Sequence, residues 1–247
     1  MTPSDFVTIG LLVGLEGLLS ADNALVIAVM VLGLPKREHR AALHYGLVGA
    51  FAFRIAATLL AVYLIKLGWV KLLGGLYLLY LSYAHFASGE TAEERGTPPK
   101  AKPFLGLSAF WGTVVRVELV NLAFSIDSIL VAVAVSPKLW VVLTGGILGI
   151  VAMRLVVGRL IVLIERYPAL VDGAFVIIAW VAVKLLAEYA FSAGYVEFEI
   201  PKWLSLGLIG VIFAVSFLFA RRQDRRKQLT KTEQAAKRLL AEEERSS

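Results

Sequence analysis

The chain contains no cysteine, which excludes disulfides, thiolate metal sites and cysteine nucleophiles. Only three histidines occur, and none lies in the strongest polar cluster of the sequence, which argues against a zinc site built from imidazole ligands. The N-terminus lacks the basic start and the short apolar core of a cleavable signal peptide. We therefore expect the first apolar segment to remain in the protein as a membrane span.

Apolar residues are abundant instead. They make up 58% of the 247 residues, and the mean hydropathy is +0.76, whereas soluble domains contain about 45–50% apolar residues. A membrane-crossing helix needs about 20 mostly apolar residues. Seven segments meet that requirement: 6–33, 43–65, 68–87, 105–135, 139–163, 169–191 and 203–220. The sequence therefore predicts an all-α membrane protein with seven transmembrane helices.

The spans fall into two groups of three, separated by a segment rich in Gly, Pro and mixed charge. We expect one transmembrane domain over residues 1–220, followed by a basic charged tail that forms either a solvated helix or a disordered segment. The predicted parts are repeat one (5–87), the linker (88–103), repeat two (104–191), the seventh helix (203–220) and the tail (221–247).

The net charge of +6 is concentrated beside the spans. About half of the basic residues lie in 36–40 and 221–245, which is the cytoplasmic signature of a membrane protein rather than a nucleic-acid-binding patch. We therefore expect a cytoplasmic C-terminus, an N-terminus outside because the number of spans is odd, and a location in the bacterial plasma membrane.

The two halves share short motifs in the same order. Ser20, Asp22, Leu25 and Val26 recur as Ser125, Asp127, Leu130 and Val131, and Gly46, Gly49, Ala52 and Arg54 recur as Gly146, Gly149, Ala152 and Arg154. A repeat of three spans must reverse its orientation in the membrane, because three is odd. Inverted repeats are typical of secondary transporters, whose substrate site lies near the midplane.

Four carboxylates lie within the predicted spans, where an ionised group is costly and therefore rarely incidental. They are Glu16, Asp22, Glu118 and Asp127, and the polar residues beside them are Ser20, Asn23, Asn121, Ser125 and Ser128. All these ligands offer oxygen, which suits Mg²⁺, Ca²⁺ and Mn²⁺. The set predicts a cation site. Structural ion pairs with Arg54, Arg154, Arg116 or Lys184 are the alternative.

Helix geometry places the acidic side chains of each motif on different faces. At 100° per residue, Asp22 lies about 120° from Glu16, and Asp127 lies about 180° from Glu118. The two spans are also longer than the bilayer core of about 30 Å requires. We therefore predict that both helices break at the motifs, at residues 20–23 and 125–128, which would also free backbone carbonyls as ligands.

Two arginines lie near the middles of the second and fifth spans. Arg54 and Arg154 either hold a carboxylate in the metal-free state and release it during a transport cycle, or form permanent structural pairs. The sequence leaves both interpretations open. Lys184 and Glu188 are four residues apart in the sixth span and are expected to pair on one helix face.

The two motif stretches read EGLLSADNALVIAVMV and VELVNLAFSIDSILVAVAV. They resemble the two signature motifs of the TerC family of integral membrane proteins, within the LysE transporter superfamily, and the likeness covers nearly all of residues 5–220. The resemblance implies seven transmembrane helices, manganese efflux as in characterised relatives, and metal binding at Glu16, Asp22, Glu118 and Asp127 with Asn23 nearby. Ser128 stands where the first motif has Asn23, so the halves need not contribute equally.

The expected function is export of a divalent cation by alternating access, with Mn²⁺ favoured and Mg²⁺ or Ca²⁺ also compatible. Proton coupling would be natural, because protons compete with metal ions for carboxylate oxygens. Two alternatives stay open: export of a cationic organic solute, and a membrane partner that assists metalation of secreted proteins through the secretion machinery. Homo-oligomers also stay open. We expect no enzyme activity, since Ser20 and Ser125 have no histidine or lysine nearby in sequence to activate them.

Overall fold

A computed structural model describes residues 3–60, 68–87, 100–198 and 200–246, with the backbone alone at 18, 19, 21 and 226–246. This part of the chain contains eight α-helices and no β-strand, apart from one isolated bridge between Phe104 and Leu107. The helices are α1 (Pro3–Leu19), α2 (Ala21–Leu32), α3 (Lys36–Leu59), α4 (Trp69–Phe86), α5 (Ala109–Val135), α6 (Leu139–Arg166), α7 (Leu170–Ser192) and α8 (Lys202–Ser246).

Among the described residues, five helices are long and apolar enough to cross a membrane: α3, α5, α6, α7 and the Lys202–Arg225 part of α8. The bent pair of α1 and α2 makes a sixth if it forms one span. The third predicted span coincides with α4, which is 18 residues long but includes Lys71 and His85. The all-helical membrane fold is therefore confirmed, and the count of seven spans stays a prediction.

Several predicted boundaries differ from those in the structure. Helix α3 begins at Lys36 rather than at 43, directly after Pro35, whose extended backbone ends the preceding turn. Helix α5 begins at Ala109 rather than at 105, because Ser108 accepts a hydrogen bond from the backbone N–H of Trp111 and caps the helix. Helix α8 continues through the predicted boundary at 220 into the tail. Predicted segments 61–65 and 88–99, together with residue 247, lie outside the described residues.

The helices of the two predicted repeats pack across one another. Helix α1 packs mainly against α6, α3 against α5, and α4 against α7. The first helix of each repeat thus contacts the second helix of the other, while the two third helices contact each other. Helix α8 packs along α7 at the edge of this assembly.

Helix α2 lies at the centre of the fold. All its residues from Asp22 to Val31 are buried, as expected for a helix that is apolar on every face and is enclosed by other helices. The outward faces of α6 and α8 expose large apolar side chains, including Leu155, Val162 and Phe219. A bilayer covers such surfaces at no cost, so the polar groups near α2 lie in the interior of a membrane-embedded bundle.

Candidate functional site

The first motif contains a bend. Helices α1 and α2 meet at 55°, and Ser20 between them has a non-helical backbone with φ −105° and ψ 8°. The break predicted at residues 20–23 is therefore confirmed. Hydrogen bonds from Ser20 N to Glu16 O (2.9 Å) and from Ala24 N to Ser20 O (3.0 Å) continue across it. The bend thus redirects the chain, and these two carbonyls are not free for a ligand.

The second motif has no such break. Helix α5 runs without interruption from Ala109 to Val135, so the break predicted at residues 125–128 is wrong. Within this helix Ser128 donates a hydrogen bond to the carbonyl of Ser125 at 3.1 Å. The neighbouring residues Ile126 and Ile129 are buried. Apolar packing and a hydroxyl bonded within the helix favour the continuous form. Glu118 and Asp127 consequently remain on opposite faces.

Glu16 forms an ion pair with the arginine of α3. The Arg54 guanidinium contacts both carboxylate oxygens, at 2.9 and 3.3 Å, and the two residues are 2% and 6% exposed. Arg54 also donates to Ser128 Oγ at 3.0 Å, while Ser20 donates to Glu16 at 3.3 Å. A bidentate pair in a dry interior is strong, provided that its remaining polar atoms are satisfied. Glu16, Ser20, Arg54 and Ser128 form what we call the Glu16 cluster.

The two motif aspartates belong to a second group. Asp22 accepts from Lys184 Nζ at 3.0 Å, and Asp127 accepts from Lys71 Nζ at 2.7 Å. Glu188 lies between the lysines, with one oxygen 3.2 Å from Lys71 Nζ and the other 3.9 Å from Lys184 Nζ. The order Asp22, Lys184, Glu188, Lys71, Asp127 defines the lysine-bridged chain. It joins helices α2, α7, α4 and α5.

Glu118 is the fourth carboxylate, and it is placed apart from both groups. Its Oε1 atom is buried and has no hydrogen-bond partner within the part of the chain that the structure describes. It lines a cavity of about 30 Å³ together with Gly46, Asn121 and Arg154. A cavity needs about 10–15 Å³ of such volume to hold one water molecule. The space beside Glu118 can therefore hold at least one water molecule or a small ion.

Glycines of each predicted repeat make room for the glutamate of the other. A Cβ atom added at Gly49 would lie 2.8 Å from the carboxyl carbon of Glu118. A Cβ atom added at Gly149 would lie 2.5 Å from Cγ of Glu16. Both distances are too short for non-bonded carbon atoms, so an alanine at either position would force the facing glutamate side chain to shift. The matched motifs found in the sequence therefore serve the same steric purpose in both halves.

Two asparagines connect the motifs directly. Asn23 donates to Asn121 Oδ1 at 3.0 Å and lies 3.7 Å from Met153 Sδ. The Oδ1 atom of Asn23 is buried and has no partner among the described residues, although Asn23 is only 2% exposed. A free carbonyl oxygen in a dry interior is costly unless it meets a donor or a cation. This atom is therefore available as a further ligand.

The predicted ligands occupy one region but do not surround one point. Within residues 3–60, 68–87, 100–198 and 200–246, no group of three or more His, Asp or Glu residues could hold a metal ion as arranged. Basic side chains engage three of the four carboxylates instead. This agrees in part with the alternative of structural ion pairs, although Arg116 bonds to the carbonyls of Lys102 and Pro103 rather than to an acid. Metal binding stays a prediction.

Sequence reasoning missed Lys71. The expected contact of Lys184 with Glu188 is present at 3.9 Å, and Lys184 has a shorter contact, at 3.0 Å, with Asp22 on α2. Lys71 was not selected, although a lone lysine within an apolar span is itself a signal of a buried partner. Their partners lie 56 and 162 residues away in sequence. Helical periodicity does not reveal contacts at such separations.

Comparisons with known proteins support a membrane assignment. The profile described as "Integral membrane protein TerC family" matches residues 1–228. The chain is 47% identical over 217 residues to "Uncharacterized membrane protein YceF" of Bacillus subtilis, covering 87% of this chain and 82% of the relative. It is 41% identical over 190 residues to "Uncharacterized membrane protein YkoY" of the same organism, covering 70% and 57%.

A more distant relative is "UPF0053 inner membrane protein YgdQ" of Escherichia coli, which is 24% identical over 201 residues, with coverage of 75% of this chain and 82% of the relative. No solved structure matches the chain. The inner-membrane relative and the apolar helices together show a multi-pass protein of the bacterial cell membrane.

Proposed function

Because this chain belongs to the TerC family of integral membrane proteins, we propose that it exports a divalent cation, with Mn²⁺ the favoured substrate. The observation that carries the proposal is the reciprocal placement of two glutamates. Glu16 of the first half lies against Gly149 of the second, and Glu118 of the second lies against Gly49 of the first. The two glutamates thus both lie at the interface between the halves, where secondary transporters bind their substrates.

The proposed topology follows from the same packing. Repeat one (5–87) and repeat two (104–191) are inverted copies, the seventh helix (203–220) lies outside them, and the tail (221–247) is cytoplasmic. The cross-packing of α1 with α6 and of α3 with α5 supports this arrangement. The N-terminus then lies outside the cell, and the basic segments near 36–40 and 221–227 lie inside.

The two halves differ in the partners of their glutamates, an asymmetry that supports alternating access. Glu16 is neutralised by Arg54, whereas Glu118 has an oxygen without a partner beside the cavity that Arg154 lines. Arg154 corresponds to Arg54 in the sequence repeat. In the opposite-facing state we expect the roles to exchange, so that Arg154 neutralises Glu118 and Arg54 releases Glu16.

The donor atoms determine the class of substrate. Glu16, Asp22, Glu118 and Asp127 offer carboxylate oxygens, and Asn23 adds an amide oxygen that is free of hydrogen bonds. Oxygen-only sets suit Mn²⁺, Mg²⁺ and Ca²⁺. Proton antiport is the coupling we propose, because protons and metal ions compete for the same carboxylates.

Flux into proteoliposomes tests the proposal. Vesicles containing the full chain should take up Mn²⁺, and Asp22→Asn and Asp127→Asn should reduce uptake to the level of protein-free vesicles. Glu165→Gln is the matched control, because Glu165 pairs with Lys36 and His39 at the edge of the bundle. Absence of uptake by the wild type, or equal uptake by the aspartate variants, would exclude the proposal. Inhibition of uptake by lysine or arginine would instead favour an organic cation as substrate.

A further inference from the structure

Two lysine ammonium groups occupy positions beside the motif aspartates. Lys184 Nζ lies 3.0 Å from Asp22 and Lys71 Nζ lies 2.7 Å from Asp127, and the lysine side chains are only 15% and 10% exposed. Asp22 itself is 1% exposed. Asp127 is less enclosed, with 33% of its side chain exposed. An aspartate inside a membrane protein needs a counter-cation, and here the chain supplies one at each of the two pseudo-equivalent positions.

Glu188 is a second carboxylate in contact with both lysines. Its Oε2 atom lies 3.2 Å from Lys71 Nζ, and its Oε1 atom lies 3.9 Å from Lys184 Nζ. Glu188 thus offers each ammonium a second carboxylate within a short movement of its present position. Lysine is suited to such movement, because its charge is compact and its four-carbon stem is flexible.

Resting on the proposed function, we propose that Lys71 and Lys184 are tethered cations that compete with the transported ion for Asp127 and Asp22, and that Glu188 receives them when the ion binds. A divalent ion and an ammonium group bound to the same aspartate repel each other strongly in a medium of low dielectric constant. We therefore expect each lysine to leave its aspartate when the ion binds there.

This arrangement would let the transporter return to its starting conformation without a bound substrate ion. With the lysines on the aspartates, the acidic groups remain neutralised while the halves move, so no uncompensated carboxylate crosses the apolar interior. It also makes Glu188, which is absent from both signature motifs, a positioning residue that sets the affinity for the ion. A permanent structural ion pair would have no such effect on affinity.

Mn²⁺ binding to the purified full-length chain in nanodiscs tests the inference, with free Mn²⁺ measured from its electron paramagnetic resonance signal. Lys184→Gln and Lys71→Gln should each lower the dissociation constant by about tenfold or more, because a competing charge is removed. Lys36→Gln is the control, since Lys36 is exposed and lies at the end of the bundle. Size-exclusion profiles show whether each variant is folded.

Two charge-conserving variants separate direct contact from a general electrostatic effect. Glu188→Asp keeps the charge but is one methylene shorter, so it should weaken Mn²⁺ binding as Glu188→Gln does. Lys184→Arg keeps the pair with Asp22 and should also weaken binding, because a guanidinium holds a carboxylate through two hydrogen bonds.

Unchanged affinity in both lysine-to-glutamine variants, or wild-type affinity in Glu188→Asp, would overturn the inference. If Lys184→Gln does not fold, the Mn²⁺ affinities of Lys184→Arg and Lys71→Gln still test the inference. Absence of Mn²⁺ binding by the wild type would instead overturn the proposed function.

Discussion

Gly49 lies so close to Glu118 that a single methyl group at position 49 would come within 2.8 Å of the carboxyl carbon. The corresponding glycine of the second half, Gly149, stands in the same relation to Glu16. Each half of the chain therefore shapes the pocket for the acidic residue of the other. This cross-dependence links the sequence repeat to the candidate site.

The first prediction concerns these glycines. Gly149→Ala should displace Glu16 and weaken its pair with Arg54, which we expect to destabilise the protein by about 1–3 kcal/mol, as overpacking does, and to reduce Mn²⁺ transport. Gly158→Ala is the matched control in the same helix, because no atom lies within 4 Å of the added methyl group. Thermal unfolding and vesicle flux measure both effects. Equal behaviour of the two variants would contradict the steric role assigned to Gly149.

The second prediction concerns the buried pair of Glu16 and Arg54. Arg54→Gln leaves a carboxylate buried without its counter-ion, so it should destabilise the protein by about 3–5 kcal/mol. The double variant Glu16→Gln with Arg54→Gln removes both charges and should recover most of the stability but not the transport activity. Denaturation measures the stability of each variant and vesicle flux measures its transport activity, so the two effects are measured independently.

Arg159→Gln is the control for this pair. It removes an exposed arginine of α6 and should change neither the stability of the protein nor the Mn²⁺ flux. Recovery of transport in the double variant would show that the pair is purely structural.

The candidate site was only partly predictable from the sequence. The bend at Ser20 followed from the angle between Glu16 and Asp22, because a straight helix could not direct both inward. The same reasoning failed for Glu118 and Asp127. Their helix stays continuous because the two acids have different surroundings: Glu118 faces the glycines of α3, and Asp127 faces Lys71 of α4.

The fold, too, was only partly predictable from the sequence. Apolar length predicted the helices well, since burial in a bilayer depends on composition over about 20 residues. Helix starts depended on single residues such as Ser108, and were missed. The lysine-bridged chain was also missed, because Lys184 has a local partner in Glu188 and a nearer one in Asp22 on a distant helix. Contacts between distant segments depend on packing, which periodicity does not encode.

The third prediction concerns orientation, and the natural absence of cysteine makes it easy to test. A single cysteine at Tyr195, which is 79% exposed between α7 and α8, should react with a membrane-impermeant maleimide in intact cells. A cysteine at Arg37, exposed at the start of α3, should react only after the cells are permeabilised. The reverse pattern would place the N-terminus inside and contradict the proposed topology.

The fourth prediction concerns Arg154. Because it is only partly buried beside Glu118, Arg154→Gln should cost less than about 1 kcal/mol of stability, while slowing Mn²⁺ flux if Arg154 neutralises Glu118 in the opposite-facing state. Arg154→Lys retains the charge and should retain part of the flux. Normal flux in Arg154→Gln would show that the exchange of arginine roles does not occur.

The position of Mn²⁺ in the protein tests the central claim most directly. Crystals of the full chain with Mn²⁺, measured at a wavelength where manganese scatters anomalously, should show one peak between the halves. We predict oxygen ligands at about 2.0–2.6 Å that include Asp22 or Asp127, with the lysine of that aspartate displaced toward Glu188. A peak confined to the tail or the surface, with all three ion pairs to the carboxylates unchanged, would contradict the account.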